Sequence, residues 1–433
     1  MENKPYRFYY GWVIVVVSFL TMFLVLGTRS SFGLFYAAVL NEYGWSRAET
    51  AGAFSLMMVI HAMMAPVTGI LIDRLGPRKL FPLAALVLAV SLAASALITK
   101  MWHFYVCVGV FMAIGSNMLS YAPHISRIPR WFFKKKGLAS GLVLSGMGLG
   151  TLGLALLSGF MIETRGWRQA FFLLGAIIFF VVIPINVFFQ RRSPEEVGQG
   201  LESLHPRPNH PDDHGLKNQR SPANLKQYPK HWSFKAAFRT LPFWSLNMLC
   251  FFQGFFINVI IVHLAVFILD MGFSSMLAAS SIGLVGLLSS VGGIIFGIFS
   301  DRVGRESAYF LVSGAAVLGI IFLLFIKESS SVIMIYLFVV SYGIGQGGII
   351  SVVAAATGDL FPGGSLGKII SMQAVTFGIG SALGAYSGGF FYDHNQSYTV
   401  TLLLALTAII MSAVFLWIAA PRKVSVSQQK ETF

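Results

Sequence analysis

The feature that most constrains this chain is a repeated length. Apolar runs of about 20 residues or more follow one another almost without pause, which is what a helix needs to cross the ~30 Å hydrocarbon core of a bilayer. They fall at residues 11–40, 48–72, 78–99, 103–127, 137–163, 168–190, 242–269, 276–300, 306–326, 331–358, 367–392 and 397–420. In lipid every backbone N–H and C=O must be satisfied within the protein, so segments of this kind fold as helices. Charged residues are only 11% of the 433, against roughly 25% in a soluble domain, too few to cover a water-facing surface. The expected fold is an all-α membrane protein with twelve transmembrane helices. The first run is longer than a secretory signal and has no small-residue cleavage site, so it is read as a span. Cys107 and Cys250 both lie in spans and read as small buried hydrophobes.

The net charge of +14 is a product of topology. Twenty-five of the 31 Lys and Arg fall in the termini and alternate connections, and five fall in the others: Arg47, Lys100, Arg165, Arg168 and Lys327. By the positive-inside rule the first set is cytoplasmic, which puts both termini inside the cell in a plasma or inner membrane. No nucleic-acid partner is needed to explain the basic charge. Residues 191–240 are polar and rich in Pro, Asn, His and Gly, too poor in apolar surface to fold independently. They divide the chain into a bundle at 1–190, a cytoplasmic linker at 191–240 and a bundle at 241–433. His205, His210 and His214 read as solvated linker side chains rather than a metal site.

The two bundles echo each other. GILIDRLGPRK (69–79) follows span 2 and GIFSDRVGRE (297–306) follows span 8, with Asp73 and Asp301 228 residues apart. This spacing suggests a duplicated six-helix unit and two pseudo-symmetric bundles, a transporter architecture with its site between the repeats near mid-membrane. The paired Gly-x-x-x-Asp-Arg-x-Gly loops resemble the signature loop of the major facilitator superfamily. The resemblance implies that Asp73, Arg74, Asp301 and Arg302 latch the cytoplasmic side when the transporter opens outward.

Five further stretches resemble the monocarboxylate-transporter branch and its bacterial oxalate/formate-antiporter-like relatives: YYGWVIVVVSF, EYGWSRAETAGAFSL, RWFFKKKGLASGLVLSGMGLG, GWRQAFFLLG and VHLAVFILDMGFS. Gly141, Gly146, Gly148, Gly150 and Gly153 in span 5 permit close helix approach, and Lys134, Lys135 and Lys136 read as anchors at the inner interface. The chain departs from the branch at two points. Where the branch carries an arginine in span 8, eight residues before Asp301, this sequence has Gly293. Where the oxalate–formate exchangers are expected to carry a lysine within span 11, the only lysine is Lys368 at its start.

The one cation deep in a span is Arg29, in GTRSSFG. An arginine there costs at least ~2.5–3.5 kcal/mol on insertion scales, and no Asp or Glu lies at its depth; Asp270, Asp359 and Asp393 each close a span. A guanidinium offers a planar two-pronged fork for a carboxylate, so Arg29 is expected to meet the substrate. The polar residues expected around it are Asn117 and Tyr121 in span 4, Asn258 and His263 in span 7, Tyr342 and Gln346 in span 10, and Gln373 in span 11. His263, where the chain is similar to the branch, is the first proton-coupling candidate and His124 the second. His61 in span 2 is read as structural.

The expected function is a secondary active transporter that moves a small monocarboxylate anion with a proton by alternating access, as a monomer in the lipid bilayer. Exchange of one anion for another and efflux of amphipathic compounds are the alternatives, and a non-transporting sensor is a third reading. No catalytic, metal-ligand or phosphate-loop pattern has useful spacing in the spans, so no enzyme activity, cofactor or metal is expected.

Overall fold

The computed structural model describes residues 9–132, 135–199, 232–327, 332–362 and 365–419. Most of the predicted linker, with His205, His210 and His214, lies outside the described residues, as does Lys134. Twelve helices are long and apolar enough to cross a membrane: α1 (Gly11–Tyr43), α2 (Arg47–Leu75), α3 (Pro77–Ser95), α4 (Met101–Ile125), α5 (Gly137–Arg165), α6 (Trp167–Phe189), α7 (Leu241–Asp270), α8 (Ser275–Val303), α9 (Arg305–Leu324), α10 (Val332–Leu360), α11 (Leu366–Asn395) and α12 (Thr399–Ala419). Each coincides with a predicted span, with ends moved by a few residues.

Those ends are set by local chemistry. Ser46 caps α2, its Oγ accepting from the Glu49 N–H and donating to the Glu49 carboxylate. The Thr240 and Ser274 hydroxyls cap α7 and α8 by accepting from the Phe243 and Leu277 N–H groups. The two repeated loops turn at Gly76 (φ 72°) and Gly304 (φ 91°), where an L side chain would be strained. Each glycine separates consecutive helices by a single residue, so the sequence repeat is a repeat of backbone geometry.

Four helices are interrupted near their middles, among them α6, which is π-helical over Ile178–Val182. α1 breaks at Ser31, whose N–H is shared between the Gly27 and Thr28 carbonyls. α4 is π-helical over Tyr105–Met112 and breaks again at Leu119–Ser120 before Pro123. α2 carries Pro66, which cannot donate to the Ala62 carbonyl.

The first and last six helices meet at one end of the molecule, here called the far end; the opposite end, where residues 191–199 and 232–240 emerge, is the linker end. On α5, a side chain at Gly148 or Gly159 would collide with α8 at Ser290 or Ala279, whereas Gly137 and Gly141, nearer the linker end, face open space. On α11, Gly378 abuts Met58 and Ala62 of α2, and Gly389 abuts Arg47 and Ala48; Gly367 abuts nothing. Backbones close enough to exclude a methyl group make a tight seam, and both seams stop near mid-helix.

Polar contacts fasten the same end. Arg47 grips Asp270 with two bonds of 2.7 and 3.1 Å, reaches the Tyr398 hydroxyl at 2.6 Å, and lies 3.4 Å over the Tyr392 ring. Asp393 accepts from the Arg47 and Ala48 backbone N–H groups at 3.1 and 2.9 Å, so a carboxylate from α11 caps the N-terminus of α2. Ser55 and Ser275 bond across the seams to the Ala382 carbonyl and to Glu163.

Candidate functional site

Arg29 sits two residues from the midpoint of α1, and His61 is the midpoint of α2. The break at Ser31 lies directly after Arg29, and the close approach of Gly27 to the Gly150 carbonyl fixes α1 against α5 just before it. Arg29 as a residue is half-buried. Its Nη1 lies 3.4 Å from His61 Nε2 and its Nη2 lies 3.7 Å from the Met58 sulfur, a weak acceptor. Among the described residues Arg29 makes no ion pair. Asp270 and Asp393 are engaged with α2 at the far end, and Asp359 holds Arg305 at 2.7 Å.

Asn117 of α4 completes the group. It is buried, its Nδ2 donating to the His61 carbonyl at 2.8 Å and facing His61 Nδ1 at 3.2 Å, while its Oδ1 accepts from Thr68 at 2.6 Å. Tyr121, exposed beyond the α4 break, is within electrostatic reach of both Arg29 and Cys250 of α7. The cluster therefore lies beside the Gly378 contact of α11 with Met58 and Ala62 of α2.

His61, set aside as structural in the sequence, is thus a neighbour of Arg29. A depth count would have found it: both residues fall at the centres of antiparallel helices.

The other expected site residues are dispersed. Asn258 bonds Ser381 at 2.8 Å, Gln373 donates to Thr357 at 3.1 Å, and Gln346 lies 3.4 Å from Ser289, all within the last six helices. Tyr342 is fully buried against Gly319 of α9 and stacked on Phe338, and its hydroxyl has no partner among the described residues. His124 is buried against Phe81, with neither ring nitrogen bonded among the described residues.

His263 belongs to the far end. Its Nε2 donates to the Ala385 carbonyl at 2.9 Å, leaving Nδ1 as an acceptor facing the Tyr36 and Tyr398 hydroxyls at 3.4 and 3.5 Å. Tyr398 in turn accepts from Arg47, so the histidine and the Arg47 clamp share one hydrogen-bonded chain.

At the linker end, Asp73 lies 3.9 Å from Arg130, and Asp301 bonds Arg305 at 2.5 Å. Arg74 and Arg302 are exposed. Arg127 is buried next to this group and donates to the Arg192 carbonyl at 3.3 Å. Burial, then the neighbouring Arg130 and Arg192, pull Arg127 down to about 10. None of these bonds reaches the other six helices.

Comparison with known proteins agrees with this architecture. Rat monocarboxylate transporter 13 is 22% identical over 396 residues, spanning 92% of this chain and 86% of that protein. Rat monocarboxylate transporter 12 is 23% identical over 421 residues, spanning 95% and 85%. A crystal structure of a bacterial homolog of the human lysosomal transporter Spinster, inward-facing and unoccupied, superposes with a TM-score of 0.68 at 16% identity, covering 99% of this chain and 98% of that one. These relatives are transporters, not enzymes. Residues 18–353 and 314–432 match the sequence pattern of the Major Facilitator Superfamily, and with that match running almost end to end, the chain belongs to this superfamily of membrane transporters.

Proposed function

We propose that this transporter carries a small monocarboxylate anion by alternating access, with a proton, and that the linker end is cytoplasmic. The observation that carries the reading is Arg29: a guanidinium near the middle of α1 with no carboxylate partner among the described residues, beside His61. A buried lone cation is costly, so an anion that neutralises it lowers the barrier to moving the two halves. The names of the relatives, monocarboxylate transporters 12 and 13, point to the same substrate class. On this reading the present conformation faces inward, with the far end sealed.

His263 suits the proton. Its Nδ1 is met by Tyr36 of α1 and Tyr398, just before α12, and the surrounding charged groups are Arg47, Asp270 and Asp393. Parting α1 from α7 exposes Nδ1 to the outer solution. A proton there turns the acceptor into a donor, so Tyr398 loses its acceptor and the Arg47 clamp loosens. An outside proton thereby favours the outward-open form, as binding must if it is to shift a conformational equilibrium.

The test is uptake of a panel of labelled monocarboxylates into proteoliposomes, with and without an inward proton gradient. Uptake that rises with the gradient and is lost in Arg29→Ala supports the reading. Refusal of the whole panel while hydrophobic cations move replaces it with efflux of amphipathic compounds. Gradient-independent uptake accelerated by internal anion replaces symport with exchange.

A further inference from the structure

The hydrogen-bond geometry around His61 fixes which of its nitrogens carries the proton. Asn117 Nδ2 lies 2.8 Å from the His61 backbone carbonyl oxygen. A carbonyl oxygen only accepts, so the amide nitrogen, not the amide oxygen, must face it; the opposite rotamer would oppose two oxygens. The same nitrogen lies 3.2 Å from His61 Nδ1. Asn117 can only donate there, so Nδ1 is the bare, accepting nitrogen. Thr68, donating to Asn117 Oδ1 at 2.6 Å, holds the amide in that orientation.

The neutral ring then carries its proton on Nε2. That nitrogen faces Arg29 Nη1 at 3.4 Å, and a guanidinium has donors only. Two donors confront each other at mid-membrane, and neither satisfies the other. What both require is an acceptor, and an oxygen anion placed between them serves both.

We propose that His61 is the second donor of the anion site, its Nε2–H and the Arg29 guanidinium together holding the two oxygens of one carboxylate. The inference rests on the monocarboxylate reading for its ligand and on Asn117 for its geometry. Arg29 supplies the charge. His61 adds a directional neutral donor from a different helix, so the bound acid ties α1 to α2 at the end of the α2–α11 seam. Asn117 is the positioning residue, because it dictates the tautomer without touching the ligand.

Two measurements on the full-length protein in nanodiscs test this. In 15N-histidine spectra assigned with His61→Gln, His61 is expected as the neutral Nε2–H tautomer, its Nε2 resonance moving when pyruvate or formate is added. An Nδ1–H tautomer overturns the proposal, since Nε2 would then accept from Arg29 and leave no donor to spare. In titration calorimetry with pyruvate, L-lactate and formate, His61→Leu is expected to weaken binding about tenfold. His61→Gln, which keeps a donor near the Nε2 position, should stay within about threefold, which separates a lost bond from a misfolded variant. Unchanged affinity in His61→Leu overturns the proposal. If wild type binds none of the three acids while His61 is Nε2–H, the carboxylate reading fails and the named ligand class goes with it, though the donor pair stands.

Discussion

Replacing Arg47 with alanine should open the far end, and the size of the effect follows from its contacts. Arg47 makes a two-pronged bond to Asp270, with side-chain exposures of 16% and 27%. Hydrogen bonds to charged groups contribute about 1.5–3 kcal/mol, and fully exposed ion pairs about 0–1 kcal/mol, so this half-buried pair belongs near 2 kcal/mol. The stacked Tyr392 ring adds about 0.5–1 kcal/mol. In an outward-open form the guanidinium would recover part of this from water, leaving a differential of about 2 kcal/mol, or roughly 30-fold in the conformational ratio. Spin labels at Lys100→Cys and Lys327→Cys, in a Cys107→Ser, Cys250→Ala background, report the separation of the two halves at the far end. Arg47→Ala should add a longer-distance population at the expense of the short one, and Arg47→Lys, which keeps the charge but not the fork, a smaller one. Two distributions that differ by less than threefold in population would show that the glycine seams, not the clamp, hold the end shut.

The same labels should show Gly378→Leu opening the far end, because a side chain at Gly378 runs into Ala62. Arg29→Lys should keep a fraction of uptake, reduced about 10- to 100-fold, since a point charge replaces the fork; uptake equal to wild type in proteoliposomes refutes carboxylate recognition by the guanidinium. Asn117→Ala should cost about 1–2 kcal/mol from the buried groups it leaves unpaired and, in the 15N spectra, release His61 from a single tautomer. Arg127 is held down to about 10, so its charged form is disfavoured by folding at any pH below that value and the penalty eases as pH rises through it. Arg127→Gln should therefore raise the thermal midpoint at pH 7 by about 1–2 °C, and a fall would mean that the bond to the Arg192 carbonyl outweighs the crowding of charge.

The spans were legible because lipid forces a helix onto any long apolar run, and the repeated Asp-Arg loops were legible because a turn of fixed geometry needs Gly76 and Gly304. Arg29 stood out for the same reason, as a cost the sequence had to recover. What the sequence hid was pairing between helices far apart in the chain. Asp270 and Asp393 were visible as carboxylates at span ends, but their partner Arg47 is defined by the conformation that brings α2 against α7 and α11. Asn258, Gln346 and Gln373 had the polarity of cavity residues, yet side chains of that length also bond a neighbouring helix, and here they do. His61 was hidden because one histidine on an apolar helix carries no local signal; only its depth relative to Arg29 does.

The two seams have a mechanical consequence. In the proposed alternating-access cycle the contact of Gly378 with Ala62 would be a fulcrum, and the remaining stretch of α2 to Leu75 a lever about 20 Å long at 1.5 Å per residue. Arg29 and His61 sit beside the fulcrum, where a bound molecule has to displace atoms least to swing the tips most. On that reading, a small adjustment around the cargo would be amplified into a larger movement of the helix tips at the linker end.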